Sequence, residues 1–274
     1  MSREPPSPLS ADPEVPLPAP GRDWTPVVRA TSVVAFFGLW ALVSWTNTRL
    51  VVVNPSLLPG PWDVGAAAWD MIERGELHVH IWMSTKRVLQ GFALGALLAV
   101  ALGTLVGQWR WARHTLEPVI ELLRPIPPLA LLPMMVIWFG IGEWSKIVFI
   151  AYACFFPIFV TAVEGIAHVD EVLKRAAESL GASPTQRFLH VVLPAALPSI
   201  ITGLRLGFGL SFFVIVAAEF VAADSGLGYL INEGRSFFLL SPMFVGAILI
   251  GVVGLVANGL VRRLEARLLR WREE

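Results

Sequence analysis

Residues 88–107 read VLQGFALGALLAVALGTLVG, a run that contains no charged side chain. About 20 such residues in a helix span the roughly 30 Å hydrocarbon core of a bilayer. Small residues recur at every fourth position of the run, on one face of such a helix: Gly91, Gly95, Ala99, Gly103 and Gly107. Small side chains let helix backbones approach closely, and such packing is a main source of helix association in lipid. The run therefore predicts a membrane-spanning helix that packs tightly within a bundle.

Composition extends this prediction to the whole chain. Of 274 residues, 55% are hydrophobic and only 15% are charged, and the mean hydropathy is +0.65. A chain this apolar is typical of a membrane protein rather than of a soluble domain. The formal net charge is zero, so overall charge favours neither a nucleic acid nor an acidic partner. We predict an all-α, polytopic membrane helix bundle with about six transmembrane helices.

Several windows of the sequence have the length and hydropathy that a membrane span requires. They are Val28–Trp45, Val88–Gly107, Pro128–Ile141, Ile147–Ile166, Leu197–Ala223 and Met243–Val261. The third window is short and is interrupted by Pro133, a residue that breaks the regular hydrogen bonding of a helix.

The distribution of lysine and arginine predicts the orientation, because basic residues concentrate in cytoplasmic loops. With the amino terminus inside, the cytoplasmic side holds Arg3, Arg22, Arg29, Arg110, Arg113, Arg124, Lys174, Arg175, Arg187, Arg205, Arg262, Arg263, Arg267, Arg270 and Arg272. The opposite side holds only Arg49, Arg74, Lys86, Arg87, Lys146 and Arg235. We therefore predict a multi-pass protein of the cell (inner) membrane with both termini in the cytoplasm.

The two ends of the chain and the region of the first span differ in composition from the rest. Residues 1–26 are polar and rich in proline, which predicts a disordered cytoplasmic tail. Residues 27–80 contain the first transmembrane helix and an external segment, in which residues 64–73 have the spacing of a short interfacial helix. Residues 263–274 form a basic cytoplasmic tail.

The polar loop between the fourth and fifth spans reads DEVLKRAAESLGASPTQRFLHVVLPAALP at residues 170–198. Asp170 and Glu171 are acids that favour a helix start, and Gly181 follows where that helix ends. The loop therefore predicts a helix and a glycine turn on the cytoplasmic side.

A second helix follows the turn. Ser183 has the properties of its cap, with Pro184 at the first helical position and Gln186 three residues after the cap, and Pro194 is expected to end it. Its apolar side consists of Phe188, Val191 and Val192. A soluble motor that moves membrane helices must hold a rigid element connected to them, and a short exposed helix of this kind is suited to such docking.

The loop resembles the signature of ATP-binding-cassette (ABC) importer permeases, which reads Glu-Ala-Ala, three residues, Gly, nine residues, Ile, one residue and Leu-Pro. The matching residues, at the required spacing, are Ala176, Ala177, Gly181, Val191 in place of isoleucine, Leu193 and Pro194. Arg175 stands where the family often has glutamate. A salt bridge made by that glutamate would in this chain require Glu171 or Glu178 instead.

The resemblance continues from about Leu116 to Trp271 and is to the sulfonate, taurine and nitrate branch. It is carried by LEPVIELLRPIPPLALLPMMVIWFGIGEWSK at 116–146, FFPIFVTAVEGI at 155–166 and AEFVAADSGLGYLI at 218–231. It implies a type I ABC importer permease fold, with residues 81–262 as the transmembrane domain and residues 167–196 as its cytoplasmic coupling loop.

The resemblance also implies partners. These are a second permease copy in a homodimer, two ABC ATPase subunits that carry ATP and Mg, and an external or periplasmic substrate-binding protein. This chain is expected to catalyse no reaction and to bind no cofactor or metal itself. The coupling residues implied are Arg175, Ala176, Ala177, Glu178, Gly181, Ser183, Val191, Leu193 and Pro194. The solute implied is a small anion such as a sulfonate, taurine or nitrate.

Ionisable residues at membrane depth are costly and indicate function. Glu219 lies within the fifth span, while Glu164 and Arg205 lie near span ends. Glu219 is expected either to line the translocation path or to lock helices through a hydrogen-bonded or gating role. Because a bare carboxylate repels an anionic solute, the second role is favoured.

Other functions predict features that differ from these. A secondary transporter driven by an ion gradient predicts paired ionisable residues near the bilayer midplane and repeated halves, and neither is clear in the sequence. An intramembrane enzyme requires a nucleophile with a base, or a metal set, within the spans, and none is visible.

Single motifs favour structural interpretations. The sequence has no Gly-x-x-x-x-Gly-Lys-Ser/Thr motif for nucleotide phosphates, and His78 and His80 lack further ligands that would complete a metal site. The run Trp109–Arg113 favours the membrane interface over nucleic acid. Cys154 lies in an apolar stretch and is interpreted as a packed core thiol.

Overall fold

The computed structural model describes residues 25–268, and the regular elements in that range are helical. The helices are α1 (Thr25–Leu50), α2 (Pro61–Glu73), α3 (Leu77–Gln108), α4 (Arg110–Leu123), α5 (Pro128–Phe139), α6 (Glu143–Ala167), α7 (Glu171–Ser179), α8 (Pro184–Arg187), α9 (Leu193–Ala222), α10 (Leu227–Ser236) and α11 (Leu240–Leu268). A 3₁₀ turn, Pro55–Leu57, precedes α2, and a π-helical segment, Phe188–Val192, joins α8 to α9. The prediction of an all-α chain is confirmed. The predicted disordered tail, 1–26, lies almost entirely outside the described residues, as does the end of the basic tail.

The number of spans agrees with the prediction. Five helical stretches are long and apolar enough to cross a membrane: Ala30–Leu50, Leu77–Gln108, Glu143–Ala167, Pro184–Val221 and Leu240–Arg267. A sixth exists if α4 and α5, which meet at a bend of 98°, are taken together as one span. The count over residues 25–268 is therefore five or six.

The predicted third span, Pro128–Ile141, is wrong as an independent span. The corresponding helix α5 has 12 residues, which rise only about 18 Å and cannot cross a bilayer alone. The prolines between Arg124 and Pro128 prevent α4 from continuing straight into α5. Gly140 then ends α5 with a φ of +79°. The apolar window is thus one arm of a bent element.

Helix α3 begins at Leu77, well before the predicted start at Val88. The residues between these positions include Lys86 and Arg87, and hydropathy places such charged residues in a loop. Arg87 is nevertheless fully buried, because residues distant in sequence neutralise it. The helix therefore has 32 residues and extends about 48 Å.

The centre of the fold is formed by α3, α6 and α9. The small residues of α3 lie along α6: a side chain added at Gly95 would come 2.6 Å from the carbonyl oxygen of Ala151. The other members of the row pack in the same way, Gly91 on Ile150, Gly103 on Ala162 and Gly107 on Ile166, and Ala99 is fully buried. Backbone-to-backbone contact of this kind is the packing that small residues permit in lipid.

The helix that includes α8 does not end at Pro194 as predicted. The π-helical segment Phe188–Val192 continues it, and the Leu193 amide donates to the Phe188 carbonyl five residues earlier. Pro194 then lies in the first turn of α9. A proline has no amide hydrogen, and its ring clashes with the carbonyl four residues before it in a regular helix. The wider π turn accommodates both effects, so the chain stays helical from Pro184 to Val221.

A smaller core joins α2, α10 and α11 to the start of α3. Its buried members are Val64, Met71, Leu77, Leu230 and Val245. Helix α2 contains the segment 64–73 that was expected to be interfacial, and its amino terminus is capped by Asp63, which accepts a hydrogen bond from the Gly60 amide at 2.8 Å. This core lies at the end of the bundle where α3 begins and α9 ends.

Candidate functional site

Residues 170–193 of the predicted coupling loop, named the coupling segment, lie at the end of the bundle where α6 finishes. Asp170 begins it, because its side chain accepts a hydrogen bond from the Val172 amide at 2.8 Å and caps α7. Lys174 donates to Glu171 at 2.8 Å, and this contact lowers the pKa of the Glu171 carboxyl. Helix α7 thus has the amino-terminal acids that its dipole favours.

Gly181 makes the turn between α7 and α8. Its φ of +77° lies in the left-handed region, which glycine adopts without strain. The Gly181 amide donates to the Glu178 carbonyl at 2.9 Å and the Ala182 amide to the Ala177 carbonyl at 3.1 Å. These two bonds form a Schellman motif, which ends α7 abruptly. A Cβ added at Gly181 would meet no atom within 4 Å, so the glycine is required by backbone conformation and not by space.

Helix α8 begins with a complete capping box. The Ser183 hydroxyl accepts from the Gln186 amide at 3.3 Å, and the Ser183 amide donates to the Gln186 side chain at 2.9 Å. Arg187, at the end of α8, forms an ion pair with Glu178 of α7. The two short helices are therefore linked to each other by a charged pair in addition to the turn.

Both short helices of the coupling segment are exposed, because Pro184, Thr185 and Gln186 of α8 are as open as most of α7. The exposed apolar side chains lie mainly along α7 and at its end, at Val172, Leu173 and Leu180. Ala177, in contrast, is buried, and so is Val192, which packs with Ile166 and Ala196 of the neighbouring spans. The apolar side formed by Phe188, Val191 and Val192 therefore faces the bundle and does not form an outward docking face, because continuity with α9 turns it inward.

The residues of the signature are brought together, and the acids near Arg175 have partners of their own. Glu171 pairs with Lys174, and Glu178 pairs with Arg187. Arg175 itself is exposed. Val191 and Leu193 are half-buried and Pro194 is exposed at the junction with α9.

Glu219 lies at the opposite end of the bundle, in a buried ion-pair network. Its Oε1 accepts from Arg87 Nη1 at 2.7 Å, and both side chains are fully buried. The Ser84 hydroxyl lies 2.8 Å from both carboxylate oxygens, and the Gly228 amide donates to Oε2 at 2.7 Å. Every acceptor lone pair of a buried carboxylate that lacks a donor costs free energy, and here the donors come from α3 and α10.

Arg87 connects Glu219 to a second carboxylate, that of Glu143. Its Nε and Nη2 each donate to one Glu143 oxygen at 2.8 Å, in the paired geometry that suits a guanidinium. Arg87 also donates to the backbone carbonyl of Ser225. Lys146 lies 3.0 Å from Glu143 and is almost fully buried. Two cations and two carboxylates thus balance within this network.

The loop before α10 wraps around the Glu219 carboxylate. Gly226 has a φ of +120°, and any side chain there would collide with that carboxylate. The Gly226 amide donates to His80 Nδ1 at 3.0 Å, and the His80 ring stacks on Tyr229 at a centroid distance of 6.0 Å. Within residues 25–268 no three residues of histidine, cysteine, aspartate or glutamate are grouped in a way that could hold a metal ion.

The sequence interpretation found Glu219 and missed its partners. Arg87 and Lys146 were counted as loop charges, and Ser84 and Glu143 were not singled out. The sequence feature that could have indicated a buried Arg87 is its position directly before an uncharged run. Only the three-dimensional contacts show that it pairs with Glu219, 132 residues away.

Glu164 and Arg205 do not join this network. Glu164 is exposed near the end of α6 and lines a cleft of about 380 Å³ with polar residues of α6 and α9, among them His168, Ser199 and Thr202. Arg205 pairs with Glu265 of α11 at 3.1 Å. Glu164 lies at the opposite end of α6 from Glu143 of the network, about 30 Å away. Glu164 and Glu219, the two glutamates selected from the sequence, therefore belong to different sites.

Comparison with known proteins agrees with these features. Residues 91–270 match the family described as binding-protein-dependent transport system inner membrane component. The chain is 36% identical over 256 residues to the taurine transport system permease protein of Escherichia coli strain K12, covering 92% of this chain and 93% of that protein. It is 39% identical over 223 residues to the putative aliphatic sulfonates transport permease protein of Bacillus subtilis strain 168, covering 81% of each.

The fold also matches a solved structure. The MetNI methionine ABC transporter in an inward-facing conformation superimposes with a TM-score of 0.57 at 19% sequence identity, covering 68% of this chain and 95% of that one. The family match includes the coupling segment, the small-residue row of α3 and Glu219. The chain therefore belongs to the binding-protein-dependent inner membrane components and is the permease subunit of an ABC importer, a membrane channel subunit whose ATPase is a separate protein.

Proposed function

We propose that two copies of this permease form the path by which a small sulfonate-like anion enters the cell. The proposal draws the solute class from the relatives, whose names refer to taurine and aliphatic sulfonates. Nitrate, which the resemblance to the sulfonate, taurine and nitrate branch also implies, belongs to the same class of small oxyanions. Two ATPase subunits and an external binding protein complete the transporter.

The observation that carries the mechanism is the continuity of the coupling segment with a membrane span. Helix runs from Pro184 to Val221 over 38 residues, a length of about 57 Å. A push on α8 by a soluble subunit therefore moves α9 with it, and a push on α7 reaches α8 through the Gly181 turn and the ion pair between Glu178 and Arg187. We propose that the ATPase contacts the exposed face of α7 and that Gly181 sets the angle between the two short helices.

The far end of α9 carries Glu219. Motion of α9 thus reaches the network of Arg87, Glu143 and Ser84, which joins α3, α6 and α10. We propose that this network locks the outer ends of the helices together in the state shown. Glu219 is enclosed by Arg87 and Ser84 and is neutralised there, so it locks helices and does not present charge to the solute.

Orientation follows from the same proposal. The coupling segment must face the cytoplasm to meet ATP, which places the start of α3, α2 and α10 outside and both termini inside. The external binding protein then docks on the side where α2 and α10 cover the Arg87 network. Glu164, exposed at the cytoplasmic end beside Ser199 and Thr202, is proposed to line the inner mouth of the path.

Uptake by the reconstituted transporter tests the proposal. The permease, its ATPase and its binding protein are placed in liposomes, and uptake of taurine, an alkanesulfonate and nitrate is measured with ATP and, separately, with a proton gradient alone. We expect uptake that requires ATP and its hydrolysis. Uptake driven by the gradient without ATP would instead establish a secondary transporter.

A further inference from the structure

A basic cleft lies between the start of α4 and the coupling segment. Its volume is about 360 Å³, which is enough for a phosphate group and its immediate substituents. The charged residues of its lining are Arg110, Arg113, Lys174, Arg187 and Glu171. No residue of the Arg87 network lines this cleft, and neither does Glu164, whereas Glu171, Lys174, Arg187 and Val192 of its lining belong to the coupling segment.

Side chains set the charge of the cleft. Helices α3 and α6 end at it and α4 and α7 begin at it, so their opposed dipoles largely offset one another. The lining then carries four cations against one carboxylate. Within the lining Lys174 pairs with Glu171 at 2.8 Å. Outside it, Glu178 pairs with Arg187, and Glu117 lies 3.8 Å from Arg113. Arg110 has no carboxylate within 4.0 Å among residues 25–268. The surplus of positive charge is therefore concentrated at the first turn of α4.

Exposed aromatic and apolar side chains flank the basic end of α4. Trp109 and Trp111 flank Arg110 and are 45% and 60% exposed, and exposed indoles favour the headgroup region of a bilayer. Helix α4 presents further exposed apolar side chains at Val119, Leu122 and Leu123. Helix α4 belongs to a bent element that can form a span together with α5, and the end of a span that carries exposed indoles and basic residues favours the membrane interface. Arg110 and Arg113 are thus expected at the level of lipid phosphates.

We propose that this cleft binds the phosphate of an anionic phospholipid headgroup. Lys174 belongs to α7 and Arg187 to α8, whereas Arg110 and Arg113 belong to α4. A phosphate held among them ties the coupling segment to the membrane surface. The position of the segment that transmits motion to α9 then depends on the charge of the surrounding lipid. The proposal rests on the lining of the cleft and holds for any transported solute.

Native mass spectrometry of the permease purified with its ATPase subunits tests this binding. The intact complex is titrated with phosphatidylglycerol and, separately, with phosphatidylcholine, and excess inorganic phosphate is added in a third arm. The variant Arg110→Gln/Arg113→Gln removes two cations of the cleft. The matched control Arg263→Gln/Arg267→Gln removes two exposed arginines of α11, which do not line the cleft.

We expect the unaltered complex to retain phosphatidylglycerol in preference to phosphatidylcholine. The α4 variant should bind phosphatidylglycerol about 25-fold more weakly, since each basic residue near an anionic surface contributes roughly fivefold, while the α11 control should lose far less. Inorganic phosphate should displace little of the lipid, because it lacks the acyl chains that hold the headgroup at this depth.

Three results would overturn the proposal. Equal retention by the α4 variant and the unaltered complex means that the cleft is not the lipid site. Full displacement by inorganic phosphate means that the ligand is a soluble anion. Loss of the ATPase subunits from the α4 variant, with lipid retention unchanged, means that the cations form a protein contact. If the double variant does not assemble, Arg110→Gln alone is measured against Arg263→Gln, with a fivefold loss expected.

Discussion

Arg87 of α3 and Glu219 of α9 form an ion pair with an Nη1–Oε1 distance of 2.7 Å, and neither side chain is exposed. The pair joins two central helices at the end of the bundle away from the coupling segment. Removal of one member of a buried pair leaves the other charge without compensation, which costs far more than the intact pair contributes. The pair therefore makes the relative position of α3 and α9 sensitive to single substitutions.

The variant Arg87→Met is expected to lower the free energy of unfolding by about 3–5 kcal/mol. Glu219 would then be buried with only Ser84 and the Gly228 amide as partners. Unfolding by sodium dodecyl sulfate, followed by circular dichroism of the purified permease, measures the change.

The double variant Arg87→Met/Glu219→Met is the control for this prediction. It removes both charges, and Glu143 keeps Lys146 as a partner at 3.0 Å. It should therefore be more stable than Arg87→Met alone. If the double variant is destabilised by the sum of the losses measured for Arg87→Met and Glu219→Met separately, the two side chains are not energetically coupled.

The variant Glu219→Gln is expected to impair transport while the permease dimer still assembles. Glutamine keeps the size of the side chain and an oxygen that accepts from Ser84 or Gly228, but it loses the charge that faces Arg87. Uptake in proteoliposomes and size-exclusion chromatography measure the two properties. Normal uptake by this variant would contradict the proposed locking role.

The variant Gly95→Ala is expected to destabilise the bundle by about 1–3 kcal/mol, the cost of overpacking a tight interface. Its methyl group would lie 2.6 Å from the Ala151 carbonyl oxygen, so the α3 and α6 backbones must separate. Thermal unfolding in detergent measures the effect.

Gly65→Ala provides the matched control, because Gly65 lies inside α2 with no atom within 4 Å of an added Cβ. There alanine should stabilise the protein by up to about 1 kcal/mol through helix propensity. The two glycine substitutions should thus differ in sign. Equal effects would show that α3 and α6 do not approach as described.

The variant Gly181→Asp is expected to insert normally in the membrane but to lose or uncouple the ATPase. An added side chain at Gly181 meets no atom within 4 Å, and aspartate tolerates the left-handed conformation better than most residues. The fold of the segment should therefore survive, while a new charge appears on the face proposed for docking. Copurification of the ATPase and solute-stimulated ATP hydrolysis measure the outcome.

Gly181→Asn separates charge from shape in this experiment. Asparagine has nearly the same size and conformational preference as aspartate but is neutral. It should keep most of the ATPase binding. If both variants lose the ATPase equally, the backbone conformation and not the charge is responsible.

The variant Ser183→Ala is expected to loosen the start of α8. It removes the hydroxyl that accepts from the Gln186 amide, a change that costs about 1 kcal/mol at a helix cap. Hydrogen exchange at the amides of Gln186 and Arg187 should accelerate about fivefold, as that energy implies. Ser179→Ala is the control, since the Ser179 hydroxyl donates to the Arg175 carbonyl within α7 and caps nothing. Unchanged exchange in Ser183→Ala would show that the cap does not hold α8.

Local patterns in the sequence were sufficient for much of this protein. Apolar runs of about 20 residues identify spans because the bilayer sets the length of the helix. The turn at Gly181 and the cap at Ser183 follow from interactions within a few residues, so their sequence signals are complete. The four-residue spacing of Gly91, Gly95 and Gly103 likewise indicates a helix face that another helix can approach closely.

Contacts between distant segments settled the rest. Hydropathy assigned Arg87 to a loop because an isolated cation is unstable in hydrocarbon, yet the carboxylates of Glu143 and Glu219 compensate it inside the bundle. The sequence around Pro194 predicts a helix end, but the π turn before it lets the helix continue into α9. In both cases packing between elements decides: carboxylates on other helices compensate Arg87, and the burial of Val192 against Ile166 supports the widened turn.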